Sequence, residues 1–190
     1  MRSALNPSPR PTARDAIIGA AIRLWSRNPG ATFSEVALHA GVGRATLHRH
    51  FRTRDDLLTV LAEICIEETN EAVAAAIDQS ASASRQLQRM FEAVIPLGDR
   101  YSFLYRAEIG DEHTTARYRR QLDRVGTLVG ELKAESAVAA DVPTAWVVAQ
   151  IDQLIWTAWN EVASGRVAAA DAANLATRTL LHGLGKEEQP

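Results

Sequence analysis

Five residues whose side chains can bind nucleic acid lie in one short stretch, RATLHRHF, at residues 44–51. Arginine can donate two hydrogen bonds to guanine O6 and N7, threonine can contact a thymine methyl group or a phosphate, and neutral histidine can donate one hydrogen bond. In a helix, Leu47 and Phe51 would point inward together because they are four residues apart. The pattern predicts major-groove contacts, with an ordinary solvated basic helix as the alternative, by Arg44, Thr46, His48, Arg49 and His50.

The preceding residues predict a second short helix that would position this stretch. Thr32 and Glu35 form a T-x-x-E capping box, so we expect Thr32 to cap a helix that runs to Ala40. Gly41 can adopt the left-handed conformation that ends a helix within one residue. Two short helices joined by such a turn are typical of a helix-turn-helix, and we include Thr32 among the candidate DNA contacts.

The flanking segments predict a third and a fourth helix around this pair. Apolar residues recur every three or four positions from Ala13 to Arg27, where Arg14 is a candidate phosphate contact. Thr53 and the acids that follow it are typical of a helix N-terminus, because acids suit the positive end of the helix dipole. Arg52 and Arg54 lie beside that end and are expected to contact phosphate.

Residues 13–60 resemble the tetracycline-repressor (TetR) family of bacterial transcriptional regulators. The resemblance rests on ARDAIIGAAIRLWSRNPG, on AGVGRATLHRHF and on RTRDDLLTVLAE at the start of a long helix. Family members commonly have Tyr-x-x-Phe after the turn, and here His48 holds the tyrosine position. The resemblance implies a phosphate contact by His48 and a helical body that binds a small effector. It also implies that effector binding moves the fourth helix and changes the spacing of two recognition helices.

Composition and charge predict an all-α protein with a basic N-terminal part. The chain has 190 residues, of which 46% are hydrophobic and 23% charged, and no window shows the alternation of a half-buried strand. Residues 1–60 hold nine arginines and four acids, net +5, whereas the rest of the chain has a net charge of −7. This asymmetry favours a DNA-facing head and a body that DNA repels.

Three further expectations concern location, chemistry and the single cysteine. No apolar run approaches the roughly 20 residues that span a membrane, and no secretory core precedes the first helix, so we expect a cytoplasmic protein. No nucleophile–base pair or metal-spaced Cys/His set is evident, so we predict neither enzymatic activity nor a metal or cofactor. Cys65 is interpreted as a buried apolar residue, with a redox-sensing thiol as the alternative.

The chain divides by composition into four segments. Residues 1–12 are interpreted as a disordered arm, in which Arg2 and Arg10 could enter a minor groove. Residues 13–58 form the predicted DNA-binding domain, residues 59–78 a connecting helix, and residues 85–184 a helical effector-binding and dimerisation domain. Within the last segment we expect helices at 85–97, 99–109, 114–139, 144–164 and 168–184.

The helix after Pro143 is apolar on nearly every side, which predicts that more than one of its faces is buried. A homodimer provides this, because one front can line the subunit core while another meets the same helix of a second copy. Two-fold symmetry also suits a helix-turn-helix, which binds two half-sites about 34 Å apart. The predicted interface comprises Trp146, Ile155, Trp159, Val162, Leu175 and Leu180.

Aromatic and apolar residues before this helix predict a pocket with a few polar groups. The same residues could equally form a packed core, and the pocket is favoured mainly by the family resemblance. The candidate lining comprises Met90, Phe91, Val94, Tyr101, Phe103, Tyr105, Gln150 and Trp156.

The sequence therefore predicts a homodimeric repressor that a small apolar or aromatic effector releases from double-stranded operator DNA. The alternatives are a regulator or activator that needs no effector, and an all-α enzyme whose helix-turn-helix is only structural.

Overall fold

The computed structural model describes residues 12–107 and 109–183, and within these ranges the regular structure is helical. The expected all-α fold is confirmed for this part of the chain. The predicted arm with Arg2 and Arg10 lies outside the described residues, except for Thr12, and so does Leu184. The α-helices are α1 (Ala13–Arg27), α2 (Phe33–His39), α3 (Arg44–His50), α4 (Arg54–Ala76), α5 (Ala83–Val94), α6 (Gly98–Tyr101), α7 (Glu112–Ala134), α8 (Thr144–Ala163) and α9 (Ala169–Gly183).

The chain forms two compact units that divide between Leu57 and Leu58, within α4. Unit 1 contains α1, α2, α3 and the first turn of α4. Its buried residues come from all of these elements and include Ile17, Ala21, Trp25, Val36, Ala37, Leu47, Phe51 and Leu57. The Trp25 indole N–H donates to the carbonyl of Ala31 at 3.0 Å, which holds the α1–α2 connection against the core.

Side-chain caps fix where the helices of unit 1 begin. The capping box expected at α2 is confirmed, since Thr32 Oγ1 accepts from the Glu35 N–H and the Glu35 carboxylate accepts from the Thr32 N–H. Thr12 and Asp15 form the same box at α1, so Thr12 caps a helix rather than belonging to the expected disordered arm. Each box satisfies N–H groups that have no partner within the helix.

Unit 2 is built around α8, which packs against α6, α7 and α9, while α5 packs against α7 and α9. Pro96 lies in a short 3-10 helix, Ile95–Leu97, and a second one covers Ser102–Arg106. The helix expected over residues 99–109 is therefore absent, because the chain turns through α6 and these 3-10 segments instead.

Helix α7 ends at Ala134, earlier than the expected Ala139. Ser136 has a φ of 59°, in the left-handed region that interrupts a helix. The carboxylate of Glu135 accepts hydrogen bonds from the backbone N–H of Ala83, and so caps the first turn of α5.

Two kinds of feature are absent from the described residues. None of their helices is long and apolar enough to cross a membrane. They also contain no group of three or more His, Cys, Asp or Glu side chains arranged to hold a metal ion.

Candidate functional sites

Helix α3 presents a polar face to solvent on one side and packs Leu47 into the core of unit 1. Arg44, His48, Arg49 and His50 are exposed, whereas Leu47 is 1% exposed. Thr46 is half-buried, so it contributes less to the outward face than we expected from its position. Gly41 has the expected left-handed conformation, with a φ of 66°, and this allows α2 to end directly before the turn.

His48 is held in place by two contacts within unit 1. Its ring lies edge-on to the ring of Phe33, with 5.5 Å between the centroids. Its Nδ1 lies 3.3 Å from the carbonyl oxygen of Arg52 and must therefore carry the proton that this hydrogen bond needs. In that arrangement Nε2 is the atom left to meet a phosphate, and it donates a hydrogen bond only when the ring is fully protonated.

The remaining candidates around α3 differ in how far they are already engaged. Arg52 is exposed, and its hydrogen bonds to Asp56 and His48 are made by backbone atoms, which leaves its guanidinium outside these contacts. The guanidinium of Arg14 lies over the ring of Phe51, 5.5 Å from its centroid, while the side chain stays exposed. Thr32 is exposed, but its hydroxyl is occupied by the capping box, where it donates to Glu35 at 2.7 Å.

The guanidinium of Arg54, which we expected to contact phosphate, is engaged within unit 1. Its guanidinium donates to the carbonyl oxygens of Ala31 at 3.0 Å and Pro29 at 2.8 Å, and it stacks over Trp25 at 4.6 Å from the ring centroid. The donors that would reach a phosphate are thus used to fix the α1–α2 connection. Sequence reasoning missed this role because the partners are backbone atoms more than 20 residues away.

Arg54→Ala is expected to lower the free energy of unfolding by about 2 kcal/mol, because it removes charge-assisted hydrogen bonds and a cation–π contact. Urea denaturation of the full chain measures this loss. Arg52→Ala is the matched control, since it removes an exposed arginine two residues away and should change stability by less than about 0.5 kcal/mol. If the two variants are equally stable, the contacts of Arg54 with the α1–α2 connection do not stabilise the protein.

Unit 2 contains a partly open cavity of about 850 Å³, lined by α4, α5, α7, α8 and the segment between α6 and α7. Its wall is mainly apolar and aromatic, with contributions from Ile66, Val73, Leu128 and Ile151. The volume lies within the range of roughly 300–1,000 Å³ that small-molecule sites in proteins occupy.

A hydrogen-bonded trio lies on this wall. The phenol of Tyr118 donates to Asp152 Oδ1 at 2.5 Å, and the indole N–H of Trp156 donates to the Tyr118 oxygen at 3.3 Å. Burial raises the pKa of Asp152 above the ordinary aspartate value, and it also raises the pKa of Tyr118. Sequence reasoning named neither Tyr118 nor Asp152. The sequence does contain one indication of this site, because Asp152 is the only acid between Thr144 and Asn160 on an otherwise apolar helix.

Four of the eight predicted pocket residues line this cavity, namely Met90, Val94, Tyr105 and Trp156. Tyr105 is 51% exposed, which puts it at the mouth, and its ring lies 5.5 Å from that of Trp156. The other four do not line it. Phe91, Tyr101 and Phe103 are buried in the packed core beside it, and Gln150 is half-buried elsewhere on α8.

The residues predicted for a subunit interface divide into two groups. Trp159 and Leu180 are 2% and 1% exposed, so they are core residues of the single chain, and Ile155 lines the cavity. Trp159 is fixed by its indole N–H, which donates to the carbonyl of Val94 at 3.0 Å. Trp146 and Leu175 remain 57% and 49% exposed, and Val162 is half-buried.

Cys65 also lies on the cavity wall and is 8% exposed. Burial raises the pKa of its thiol to about 12, with the nearby Glu68 carboxylate adding to the shift. A thiol of this kind stays protonated at neutral pH, and only the thiolate is a strong nucleophile.

Comparison with known proteins identifies the N-terminal segment. Residues 17–61 match the family model described as bacterial regulatory proteins, tetR family. The transcriptional repressor LfrR of Mycolicibacterium smegmatis is 35% identical over 96 residues, which cover 50% of this chain and 51% of LfrR. The transcriptional regulator NfxB of Pseudomonas aeruginosa is 27% identical over 159 residues, which cover 82% of this chain and 85% of NfxB.

The overall fold is similar to that of two solved structures. The structure of LfrR in complex with proflavine has a TM-score of 0.76 at 24% identity, covering 92% of this chain and 97% of that one. The ketosteroid transcriptional regulator KstR2 of Mycobacterium tuberculosis has a TM-score of 0.73 at 16% identity, covering 93% and 96%. The two comparisons agree: residues 17–61 match the tetR family model, and the chain has the fold of the LfrR structure.

Proposed function

We propose that the protein is a transcriptional repressor that binds operator DNA as a homodimer and leaves it when a small apolar or aromatic molecule occupies the cavity of unit 2. The exposed face of α3 is the observation that supports DNA binding. There Arg44 and Arg49 project from a helix that Leu47 and Phe51 anchor in the core of unit 1. A basic helix held rigidly on a second helix suits the major groove.

The charge distribution supports the same proposal. Residues 1–60 have a net charge of +5, while the chain as a whole has −2. A basic surface that neutralises phosphates releases counterions, so we expect the affinity to fall steeply with salt concentration.

The cavity supports a ligand-dependent response. It has the volume and the mainly apolar wall of a small-molecule site, and residues between Ala62 and Ala74 of α4 contribute to that wall. Because α4 begins in unit 1 and continues into unit 2, a ligand that changes this helix has a continuous element through which to act. LfrR, which has a similar fold, has been solved with proflavine, and this favours an aromatic molecule as the first effector to test.

Two exposed apolar side chains support the dimer. Trp146 on α8 and Leu175 on α9 remain about half exposed in the single chain, and α8 packs against α9. A four-helix interface of these two helices and their copies would bury both side chains. Ile155, Trp159 and Leu180 are not part of this proposal, because each is used within the single chain.

Replacing Trp146 or Leu175 by glutamate is expected to convert the dimer to monomers at micromolar concentration, because it puts a charge into a buried apolar contact. Sedimentation velocity measures the change. Leu38→Glu is the control, since Leu38 is 76% exposed on α2 in unit 1 and lies outside the proposed interface. A dimer that survives both substitutions, or a wild-type chain that sediments as a monomer, would contradict the proposed interface.

The function is tested by gel shifts with the DNA upstream of the protein's own gene and with a scrambled duplex of equal length. We expect preferential binding to the native duplex, and at least a several-fold weaker complex in the presence of an effector, as allosteric coupling predicts. Equal binding to both duplexes would contradict sequence-specific regulation. Preferential binding that no ligand of the cavity changes would favour the effector-independent regulator instead.

A further inference from the structure

Among the described residues, three charged side chains contribute to the cavity wall: Asp152, Arg124 and Glu131. They are not equivalent. Arg124 and Glu131 are exposed on α7, and the guanidinium of Arg124 donates to Asn70 Oδ1 at 2.6 Å. Asp152 is the more buried of the three, and its carboxyl group faces the aromatic part of the wall. The interior of the cavity is therefore marked by an acid rather than a base.

The carboxyl group of Asp152 is only partly satisfied by the protein. Its Oδ1 accepts from Tyr118, and no other hydrogen bond from a described residue reaches either oxygen. Among the cationic side chains that the structure describes, none forms an ion pair with it. A buried carboxylate without a positive partner is costly, which is why burial raises the pKa of Asp152.

Aromatic side chains surround this acid. Trp156 follows Asp152 by one turn of α8, and its ring lies 4.9 Å from that of Trp159 and 5.5 Å from that of Tyr105. Tyr118 completes the group through its hydrogen bonds to Asp152 and Trp156. The faces of such rings attract cations as well as flat aromatic molecules, because each ring carries negative charge density on its faces.

These features discriminate between classes of ligand. An anion would meet the acid, and the one base among the described wall residues, Arg124, is exposed and already bonded to Asn70. A neutral molecule could occupy the aromatic wall but would leave the carboxyl group without its missing partner. A cation would satisfy both, since its positive charge is attracted strongly to a carboxylate in a site partly shielded from water, whether or not it carries an N–H donor.

We infer that the effector cavity selects planar aromatic cations, with the positive charge held against Asp152 and the ring system against Tyr105, Tyr118 and Trp156. This inference rests on the proposed ligand-responsive function and names the ligand class for that site. The volume of about 850 Å³ accommodates a three-ring molecule.

The test uses two probes with the same three fused rings, N-methylacridinium as the permanent cation and acridine as the neutral molecule. Binding to the full-length chain is measured by titration calorimetry at neutral pH. We expect the wild-type chain to bind the cation at least about tenfold more tightly, equivalent to about 1.4 kcal/mol.

Asp152→Asn keeps the size of the side chain and removes its charge, so it should abolish this preference and leave acridine binding within about twofold. Asp123→Asn is the matched control, because it removes one negative charge from an exposed site on α7 that does not line the cavity. This control should bind both probes as the wild type does. Circular dichroism of each variant reports whether it has folded.

Equal affinity of the wild-type chain for the two probes, or failure to bind either, overturns the inference without the need for any variant. Unchanged cation binding by folded Asp152→Asn overturns it as well. Gel shifts of the ligand-free wild-type chain distinguish failure of this inference from failure of the proposed function. If the chain prefers its operator but not the cation, only the inferred ligand class is wrong. If it has no preference for its operator, the proposed function is wrong, even where the cation binds.

Discussion

Arg44→Ala is expected to weaken specific operator binding by about tenfold to a hundredfold, which corresponds to the roughly 1–3 kcal/mol of a bidentate arginine–guanine contact. Arg44 is the first residue of α3, is exposed and projects from a helix whose other side is fixed in the core by Leu47. Binding to scrambled DNA should fall much less, because it depends on phosphate contacts. Gel shifts on the native and the scrambled duplex measure both affinities.

Two further variants show whether the loss reflects base recognition. Thr46→Ala should also reduce specific binding more than non-specific binding, although by less than Arg44→Ala because Thr46 is half-buried. Arg52→Ala should weaken both kinds of binding alike, since we assign that exposed arginine to a phosphate. Equal losses on both duplexes for all three variants would remove base recognition from α3.

Gly98→Ala is expected to destabilise unit 2 by about 3 kcal/mol, the upper part of the usual range for overpacking. A Cβ atom at this position would lie 2.5 Å from Cδ1 of Trp159 and 2.9 Å from its Cα. The Trp159 ring cannot swing away without losing its hydrogen bond to Val94, and the Cα moves only with α8. The substitution should also alter the cavity, because Trp159 lines it.

Gly130→Ala provides the matched control for this effect. Gly130 lies in α7, where an added Cβ meets nothing within 4 Å. Alanine should therefore be neutral or stabilising there, by up to about 1 kcal/mol, because glycine is a poor helix former. Urea unfolding of both variants gives the comparison. A Gly98→Ala protein as stable as Gly130→Ala would mean that α6 and α8 approach each other less closely than the structure has them.

Local chemistry explains which parts of the fold could be predicted from sequence. The capping box joins Thr32 and Glu35, which are three positions apart, and Gly41 ends the helix through its own backbone conformation. Both ends of α2 could therefore be predicted from the local sequence. Helix α1 was predictable for the same reason, because its apolar spacing is regular from Ala13 to Arg27. The outward positions of α3 followed directly from the inward ones.

The differences between expectation and structure concern contacts between residues far apart in the chain. Arg54 was assigned to DNA because nothing near it in sequence indicates that its partners are the carbonyls of Pro29 and Ala31. Trp159 was assigned to a subunit interface because an apolar helix needs several neighbours, yet its sequence does not say whether they belong to the same chain. Tyr101 and Phe103 were misplaced because the 3-10 segments around α6 change the direction of successive side chains.

The buried thiol of Cys65 has a consequence for how the protein can be regulated. Peroxides and disulfides oxidise thiolates, and a thiol whose pKa is about 12 provides almost none at neutral pH. Cys65 is therefore a poor target for these oxidants. The response that we propose relies instead on a reversibly bound molecule, so it can be reset by dilution rather than by enzymatic repair.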